Sequence, residues 1–156
     1  MHTITIQMRW GDIDQYRHVN NVRYAQYLED ARVLLMHQPI ADFAPDHPRA
    51  AESIWDLLKP DNVAFIARQE IEYREATEYS PEPLEVLIGV SSIGGSSYDF
   101  AYEVRQDGRL KTVAEVSVVV VDKDSGRPAR ITPELKSVLE ALRCDPAPLR
   151  RRRSGA

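Results

Sequence analysis

The sequence contains a single cysteine, Cys144, among 156 residues. One cysteine excludes an internal disulfide framework and is typical of a protein kept in a reducing compartment. No apolar run approaches the roughly 20 residues that a membrane-spanning helix needs. The N-terminal residues alternate in polarity and lack the continuous apolar core of a secretory signal. These absences predict a cytoplasmic protein with no membrane segment.

The sequence also lacks the short motifs of several enzyme classes. It has no Gly-x-Ser-x-Gly elbow of a serine hydrolase, and the turn at Gly94–Ser97 is far too short for a phosphate-binding loop. A calcium loop starting at Asp12 would need glycine and glutamate where Arg17 and Arg23 stand. Asp12, Asp14 and His18 could together hold another divalent metal, but nothing in the sequence fixes the geometry of such a site. No metal or other cofactor is predicted.

Charge is distributed unevenly along the chain. Residues 1–142 carry 15 Lys and Arg against 23 Asp and Glu, whereas residues 143–156 carry five arginines and one aspartate. An acidic body argues against nucleic-acid binding as the main task, although the run Arg150–Arg153 could contact nucleic acid or another acidic surface. We expect one domain over residues 1–143, followed by a flexible Pro/Arg-rich tail over residues 144–156.

Apolar spacing predicts a strand followed by a long helix. Residues 3–10 alternate in polarity, which predicts a strand with one apolar face (Ile4, Ile6, Met8 and Trp10). The next stretch has a stripe at helical spacing, capped at Asn20–Asn21 and ending before Pro39. The stripe consists of Tyr24, Tyr27, Leu28, Ala31, Leu34 and Leu35.

The remaining residues predict a sheet and two short helices. Proline-rich residues 39–62 are expected to be mostly loop, with a short helix around residues 50–58. Four strands follow as far as Val121, and their short connecting turns favour antiparallel pairing. Odd-numbered residues of the first of these strands are predicted to share one face of the sheet (Val63, Phe65, Ala67, Ile71 and Tyr73). Thr132 and Pro133 are typical of the start of a C-terminal helix.

The predicted fold class is therefore α+β. About five antiparallel strands would wrap around one long central helix, with a short helix at the C-terminus. The last strand carries apolar residues at both parities, including Val113, Val119 and Val121, so its second face is expected to meet a partner subunit.

The loop before the long helix is the candidate site. Asp12, Asp14 and His18 precede the amide-rich end of the helix, which can stabilise an anion, including an oxyanion that forms on a substrate. Taken singly, the aspartates fit turn and cap positions, and His18 fits a loop anchor. Tyr24 fits the core better than catalysis.

Residues 12–24 (DIDQYRHVNNVRY), followed by residues 29–32 (EDAR), closely resemble the hotdog-fold acyl-CoA thioesterases of the 4-hydroxybenzoyl-CoA thioesterase type. Residues 93–97 (IGGSS) and the segment 114–128 support the resemblance, which covers roughly residues 3–142. It implies hydrolysis of an acyl-coenzyme A thioester to a free acid and coenzyme A, without a cofactor. It also implies a homodimer or homotetramer with the site at a subunit boundary.

The resemblance implies roles for individual residues. Asp14 matches the family's catalytic carboxylate, which attacks the thioester carbonyl or activates the attacking water. The backbone amide at about Asn21 matches the oxyanion donor. A thiolate leaves readily, so one carboxylate and a helix end suffice. Asp12 and His18 would shape the loop, and substrate contacts are expected from His18, Asn20, Tyr24, Ser96 and Ser97.

The chain departs from the family pattern at two positions. Arg17 stands where the family commonly has glycine, which costs energy if that position needs a positive φ. Gly95 stands where many members have a basic residue, so the phosphates of coenzyme A would need another contact (Arg68, Arg74, Arg127 or Arg130). A non-catalytic acyl-thioester binding protein, a thioesterase acting on acyl carrier protein and a dehydratase are alternatives on the same fold.

Overall fold

A computed structural model describes residues 1–58 and 60–150. The first half contains β1 (His2–Ile6), a 3-10 turn (Trp10–Asp12), α1 (Asn21–His37), a second 3-10 turn (Ile40–Asp42) and α2 (Ile54–Leu58). The second half contains β2 (Asn62–Tyr73), β3 (Leu84–Ile93), β4 (Ser97–Gln106), β5 (Arg109–Asp122) and α3 (Pro133–Ala141). Residues 151–156 of the predicted tail lie outside the described residues.

The five strands form one sheet in the order β1-β3-β4-β5-β2, and every neighbouring pair is antiparallel. This confirms the predicted α+β class and the antiparallel sheet. The tight turn between β4 and β5 uses Asp107 and Gly108, with φ of 52° and 73°. Positive φ at both central residues gives a turn whose twist matches that of the flanking strands. The strands β1 and β2 form the two edges.

Helix α1 packs on one face of the sheet, here called the inner face. Its N-terminus is capped by Asn20, whose side chain accepts a hydrogen bond from the Val22 N–H. The predicted stripe is buried except at Leu34, which is 48% exposed. Leu34 lies at the margin of the stripe, so the sheet covers the other stripe residues but leaves the Leu34 side chain exposed to solvent. The buried side chains join one core with the inner face (Val86, Ile88, Phe100, Ala114, Val116 and Val118).

The first strand is shorter than predicted. Its last pair with β3 is Ile6 with Leu84, and Pro83 precedes that position. Since proline has no N–H to offer, the chain leaves the sheet after Ile6. Met8 stays buried, but Trp10 lies in the 3-10 turn and is 75% exposed. The prediction that Trp10 belongs to the buried face of a strand is therefore wrong.

The strand β2 also departs from its predicted pattern. Its register with β5 shifts between Ile66 and Arg68, so Ala67 is the extra residue of a β-bulge. One inserted residue reverses the face of every residue beyond it. Phe65 pairs with Val119 on the outer face, whereas Ile71 pairs with Ala114 on the inner face. The expectation that both share a face is therefore wrong.

The two short helices begin at polar caps. In α2 the Ser53 hydroxyl accepts from the Asp56 N–H at 3.1 Å, and the Asp56 carboxylate accepts from the Ser53 N–H at 3.1 Å. This reciprocal pair starts the helix later than the predicted residue 50. Thr132 caps α3 by accepting from the Leu135 N–H at 3.2 Å, as predicted. Within the described part of the chain, no helix is long and apolar enough to cross a membrane.

After α3 the chain crosses the outer face of the sheet, which lies opposite α1. The Val90 N–H donates to the Leu142 carbonyl at 2.8 Å, and the Cys144 N–H donates to the Val90 carbonyl at 3.0 Å. This close approach depends on Gly89, because a Cβ at that position would lie 2.7 Å from the Cys144 Sγ and 3.0 Å from the Leu142 carbonyl. Burial raises the pKa of the Cys144 thiol, which lowers the fraction of reactive thiolate.

We expect Gly89→Ala to lower the free energy of unfolding by about 1–3 kcal/mol, because the backbone of the crossing segment would have to move. Urea unfolding followed by circular dichroism measures the change. Gly95→Ala is the matched control, since a Cβ there meets nothing within 4 Å. Equal stability of the two variants would contradict the close-packing argument.

Candidate active site

Asp12 ties the loop before α1 to the helix itself. Its carboxylate is buried and accepts hydrogen bonds from the Arg9 N–H at 2.9 Å and the Tyr27 hydroxyl at 2.8 Å. The Arg23 guanidinium lies 3.3 Å away as its ionic partner. Burial, reinforced by the negative Asp12 beside it, raises the pKa of Tyr27, so the hydroxyl remains a donor. These contacts fit the loop-shaping role expected of Asp12.

Asp14 lies two residues further on and is only half-buried. Its Oδ1 accepts from the Tyr16 N–H at 2.8 Å and from the His18 N–H at 3.2 Å. Among the described residues, no hydrogen bond to Oδ2 is found. One oxygen therefore holds the loop, as aspartate does in many turns, while the other remains available for chemistry.

Arg17 takes the left-handed conformation, with φ of 68°. The loop closes tightly here, since the Asp14 N–H donates to the His18 carbonyl at 2.8 Å and the Arg17 N–H donates to the Asp14 carbonyl at 3.0 Å. The position thus needs a positive φ, and arginine meets that need at a cost of roughly 1 kcal/mol. The loop keeps its shape despite the departure from glycine.

The start of α1 has one unpaired backbone amide, that of Asn21, next to the same loop. Asn20 uses its side chain for the cap, and its backbone N–H donates to the Asp12 carbonyl at 2.8 Å. Within residues 1–58 and 60–150, the Asn21 N–H has no hydrogen-bond partner. The first amides of a helix point outward along its axis, and the helix dipole adds to their attraction for negative charge.

A cavity of about 470 Å³, here called the helix-start cavity, brings several of the predicted residues together. Asp14, His18, Asn21 and Tyr24 all line it, next to β2 and the segment after it. The lining residues from that side are Tyr73, Arg74, Glu75 and Ala76, which only the fold brings near the loop. Among them, only Arg74 is predicted from the sequence, as one candidate phosphate contact.

Two tyrosines form a wall of the helix-start cavity. The Tyr24 hydroxyl donates to Thr77 Oγ1 at 2.8 Å, and the Tyr73 hydroxyl donates to the Asn21 carbonyl at 3.1 Å. Their rings meet edge to face at 5.2 Å. Burial raises the pKa of Tyr24 and of Tyr73, so both stay neutral. Tyr24 thus offers its ring to the cavity rather than a free hydroxyl.

A second cavity, of about 790 Å³, is also lined by Asp14 and is here called the loop cavity. His18 and Arg17 also line it, with aromatic rings around its rim. Trp10 and Tyr79 meet edge to face at 5.1 Å, and both are exposed. Asp14 therefore lines two cavities, either of which has space for part of a substrate.

Ser96 and Ser97 lie far from this site in the same chain. Ser96 lies in the turn between β3 and β4, and Ser97 begins β4, where it pairs with Val119 of β5. The site lies at the opposite end of β5, where Thr112 pairs with Tyr73. Seven residues of strand separate Thr112 from Val119, or about 23 Å. One chain alone does not bring these serines to Asp14.

The reactive groups of the candidate site are the Asp14 carboxylate and the backbone amide at the start of α1. No group of three or more His, Cys, Asp or Glu side chains that could hold a metal ion occurs within the described ranges. The arrangement can place an acid oxygen near a carbonyl carbon and a backbone N–H near its oxygen.

The chain matches known proteins over most of its length. Residues 8–139 match the family model described as the thioesterase-like superfamily. This confirms the resemblance to hotdog-fold thioesterases drawn from residues 12–24. No curated protein matches the sequence.

Solved structures show the same fold. The probable thioesterase YbaW from Escherichia coli is 20% identical, with a TM-score of 0.72 over 90% of this chain and 97% of that chain. A DHNA-CoA thioesterase from Staphylococcus aureus is 19% identical, with a TM-score of 0.70 over 89% and 86%. A Thermus thermophilus thioesterase complexed with coenzyme A and Zn is 24% identical, with a TM-score of 0.64 over 90% and 92%.

Arg17→Gly should raise the free energy of unfolding by about 0.5–1 kcal/mol, because glycine takes a φ of 68° without a Cβ clash. Denaturant unfolding of both proteins under matched conditions measures the difference. Asp107→Gly is the control and should raise the free energy of unfolding by less. Asp107 also has a positive φ, but aspartate tolerates that region better than arginine does. A destabilised Arg17→Gly variant would show that the arginine side chain contributes contacts that outweigh the strain.

Proposed function

Since the chain belongs to the thioesterase-like superfamily, we propose that it hydrolyses acyl-coenzyme A thioesters to a free acid and coenzyme A. The Thermus thermophilus relative with bound coenzyme A supports this choice of thiol. The reaction would need only residues of this chain and water, and would take place in the cytoplasm.

One observation carries the proposal: Asp14 and Asn21 line the same helix-start cavity, each with an uncommitted polar group among the described residues. The Asp14 carboxylate has one oxygen that is not used in the loop. The Asn21 N–H lies at the positive end of a 17-residue helix. A thioester carbonyl placed between them would meet a nucleophile or base on one side and an oxyanion donor on the other.

The proposed reaction has two possible first steps. In one, the Asp14 carboxylate removes a proton from water as the water oxygen bonds to the carbonyl carbon. In the other, the carboxylate itself bonds to that carbon, and water later hydrolyses the anhydride. In both, the carbonyl oxygen becomes negative and is stabilised by the Asn21 N–H. The C–S bond then breaks, and the thiolate leaves without a strong acid.

The other predicted residues have supporting tasks. His18 lines both cavities and would contact the substrate on either side of Asp14. Tyr24 would contact the acyl or pantetheine part with its ring, because its hydroxyl is committed to Thr77. Asn20 would act through the helix cap, which fixes the position of the Asn21 amide.

We further propose that β2 is the contact with a second copy of the chain, giving a homodimer or a tetramer built from dimers. It is an edge strand, so one row of its backbone groups is unpaired in the sheet. Phe65 and Ile66 are 57% and 42% exposed on its two faces. An antiparallel β2–β2 pair around a two-fold axis would extend the sheet and cover both side chains.

This assembly would also complete the site. Tyr73 at one end of β2 would lie opposite Asn62 of the other copy. In that other copy, the β3–β4 turn lies at the same end of the sheet as Asn62. Ser96 and Ser97 would then reach the substrate from the neighbouring subunit. We also infer that α1 is the central helix around which the sheet curls, since its buried stripe joins the core of the inner face.

We expect Asp14→Asn to lower kcat for acyl-coenzyme A hydrolysis by at least about 100-fold, because the amide can neither accept a proton nor attack the carbonyl. The asparagine oxygen can still accept from the Tyr16 and His18 amides, so the loop should keep its shape. Release of free thiol, followed with a thiol-reactive dye, measures the rate.

Asp46→Asn is the control for this substitution, since Asp46 is exposed on a loop away from both cavities. It should keep wild-type activity. If Asp14→Asn turned over at near the wild-type rate, Asp14 would lose its catalytic role.

The oligomer is tested separately. We expect the chain to sediment as a dimer or tetramer, and the pair Phe65→Asp and Ile66→Asp to shift it toward monomer by placing two charges in each copy of the contact. Analytical ultracentrifugation measures the mass, with Ala41→Asp as a control at an exposed turn. A wild-type monomer at micromolar concentration would contradict the proposed contact.

A further inference from the structure

The residues after α3 form a strap, defined here as residues 143–150, across the outer face of the sheet. It begins at β3, where Arg143 Nη1 donates to the Ser91 carbonyl at 2.9 Å. It then passes β4, where most of the strap lines one cavity together with residues 101–103. On the same path lies Val113 of β5, which points to the outer face and is wholly buried. The strap therefore covers the outer face at this level of the sheet.

The last residues of the strap, Pro148, Leu149 and Arg150, are here called the strap tip and lie at the β2 edge. The Arg150 N–H donates to the Glu72 carboxylate at 2.7 Å, and its side chain is 80% exposed. The Arg74 guanidinium donates to the Pro148 carbonyl. Leu149 lies between these two anchors and is only half-buried. The tip thus presents an apolar side chain and a positive charge at the open edge of the sheet.

The other end of the β2 edge carries an apolar patch on the same outer face, here called the edge patch. It consists of Val63 and Phe65 of β2, which pair with Val121 and Val119 of β5. Phe65 is 57% exposed, and the three valines are half-buried. Clustered apolar side chains on an open sheet face are typical of a surface that meets another protein.

The strap tip and the edge patch are placed symmetrically along β2. The tip is anchored at Glu72 and the patch begins at Val63, with the bulge residue Ala67 about midway between them. If Tyr73 of one copy lies opposite Asn62 of the other, as proposed above, Glu72 falls opposite Val63 with both side chains on the outer face. Paired strands lie roughly 4.8 Å apart, so each tip comes within side-chain reach of the other copy's patch. A two-fold axis requires this kind of self-complementary surface.

The charges at the two ends of the β2 edge are also complementary. Near the strap tip, Arg74 and Arg150 share the single carboxylate of Glu72. The same strand pairing places Arg74 opposite Asp61, which is exposed and lies one residue before β2. Opposite charges at facing positions favour this pairing over others and fix its register.

We propose that the strap tip of each copy packs on the edge patch of a second copy, so that the two straps lock the β2–β2 contact reciprocally. Leu149 of one copy would contact Val63 and Phe65 of the other and cover the valines of β5 beside them. The inference rests on the proposed dimer through β2 and adds the surface that closes its outer face. No step of the proposed hydrolysis depends on it.

Crosslinking of the full chain tests this contact. The single cysteine is removed by Cys144→Ser, and the pair Phe65→Cys and Leu149→Cys is added. Within one chain these two positions lie about 20 Å apart, because the tip is anchored at Glu72, seven residues along the strand from Phe65. A short bismaleimide can therefore join them only between copies. We expect most of the chain to migrate as a covalent dimer in denaturing gel electrophoresis.

Three controls accompany the double variant. Phe65→Cys alone and Leu149→Cys alone should give no covalent dimer, because like positions lie well apart on either side of the two-fold axis. The matched control combines Leu149→Cys with Thr3→Cys, since Thr3 is exposed on the outer face but lies on β1, the opposite edge of the sheet. It should give no covalent dimer either.

A second measurement leaves Phe65 unchanged. We expect Leu149→Asp to raise the dissociation constant of the dimer at least about tenfold, because it would place a carboxylate against the apolar edge patch. Thr3→Asp should leave the dissociation constant unchanged. Sedimentation over a range of protein concentrations measures both.

Several results would overturn the inference while leaving the β2 contact in place. They are a wild-type dissociation constant in Leu149→Asp, no crosslinking in a double variant that still sediments as a dimer, and equal crosslinking in the Thr3 control. Crosslinking of Phe65→Cys alone would show a different register and would also overturn it. A wild-type monomer would overturn the inference together with the proposed dimer. Release of thiol from acyl-coenzyme A is measured separately, so failure of the proposed hydrolysis is distinguishable from each of these outcomes.

Discussion

The candidate site depends above all on the buried carboxylate of Asp12. It accepts hydrogen bonds from the Arg9 N–H and from the Tyr27 hydroxyl in the second turn of α1. It also forms an ion pair with Arg23 on the same helix. Hydrogen bonds to a charged group contribute about 1.5–3 kcal/mol each. Removal of the carboxylate would also leave a tyrosine and an arginine without their partner. The loop and the helix start are therefore held as one rigid unit.

That rigidity explains how two nearby aspartates serve different purposes. Both oxygens of Asp12 make contacts, since Oδ2 accepts two hydrogen bonds and Oδ1 pairs with Arg23. In Asp14, by contrast, one oxygen accepts from the Tyr16 and His18 amides, and no hydrogen bond to the other is found among the described residues. A catalytic carboxylate must be held in place and still leave an atom to react. The half-buried position of Asp14 meets both needs, and the position of Asp12 meets only the first.

Local signals in the sequence predicted the helices well, because caps and apolar spacing act within a few residues. Asn20 and Thr132 both cap helices where the sequence indicated. The bulge at Ala67 was not predictable, since a single inserted residue carries no signature of its own and reverses the faces of β2. Trp10 was misplaced because the length of β1 is set by β3, far along the chain.

The site shows the same division between local and distant information. Asp14, His18, Asn21 and Tyr24 are neighbours in sequence, and the structure brings them to one cavity. Tyr73 and Arg74 reach that cavity through strand pairing over long sequence distances, which no local pattern encodes. Ser96 and Ser97 resemble family positions, but resemblance supplies no distance, and within one chain they lie at the far end of the sheet.

The measurement that tests this account most directly is thiol release by the wild-type protein from a panel of short, long and aromatic acyl-coenzyme A thioesters. We expect saturable release of free coenzyme A from at least one class, at an ordinary enzymatic kcat of about 1 per second or more. Saturable binding of the same thioesters with no release of thiol would contradict it. That result would instead assign the cavity to an acyl-thioester binding protein on the same fold.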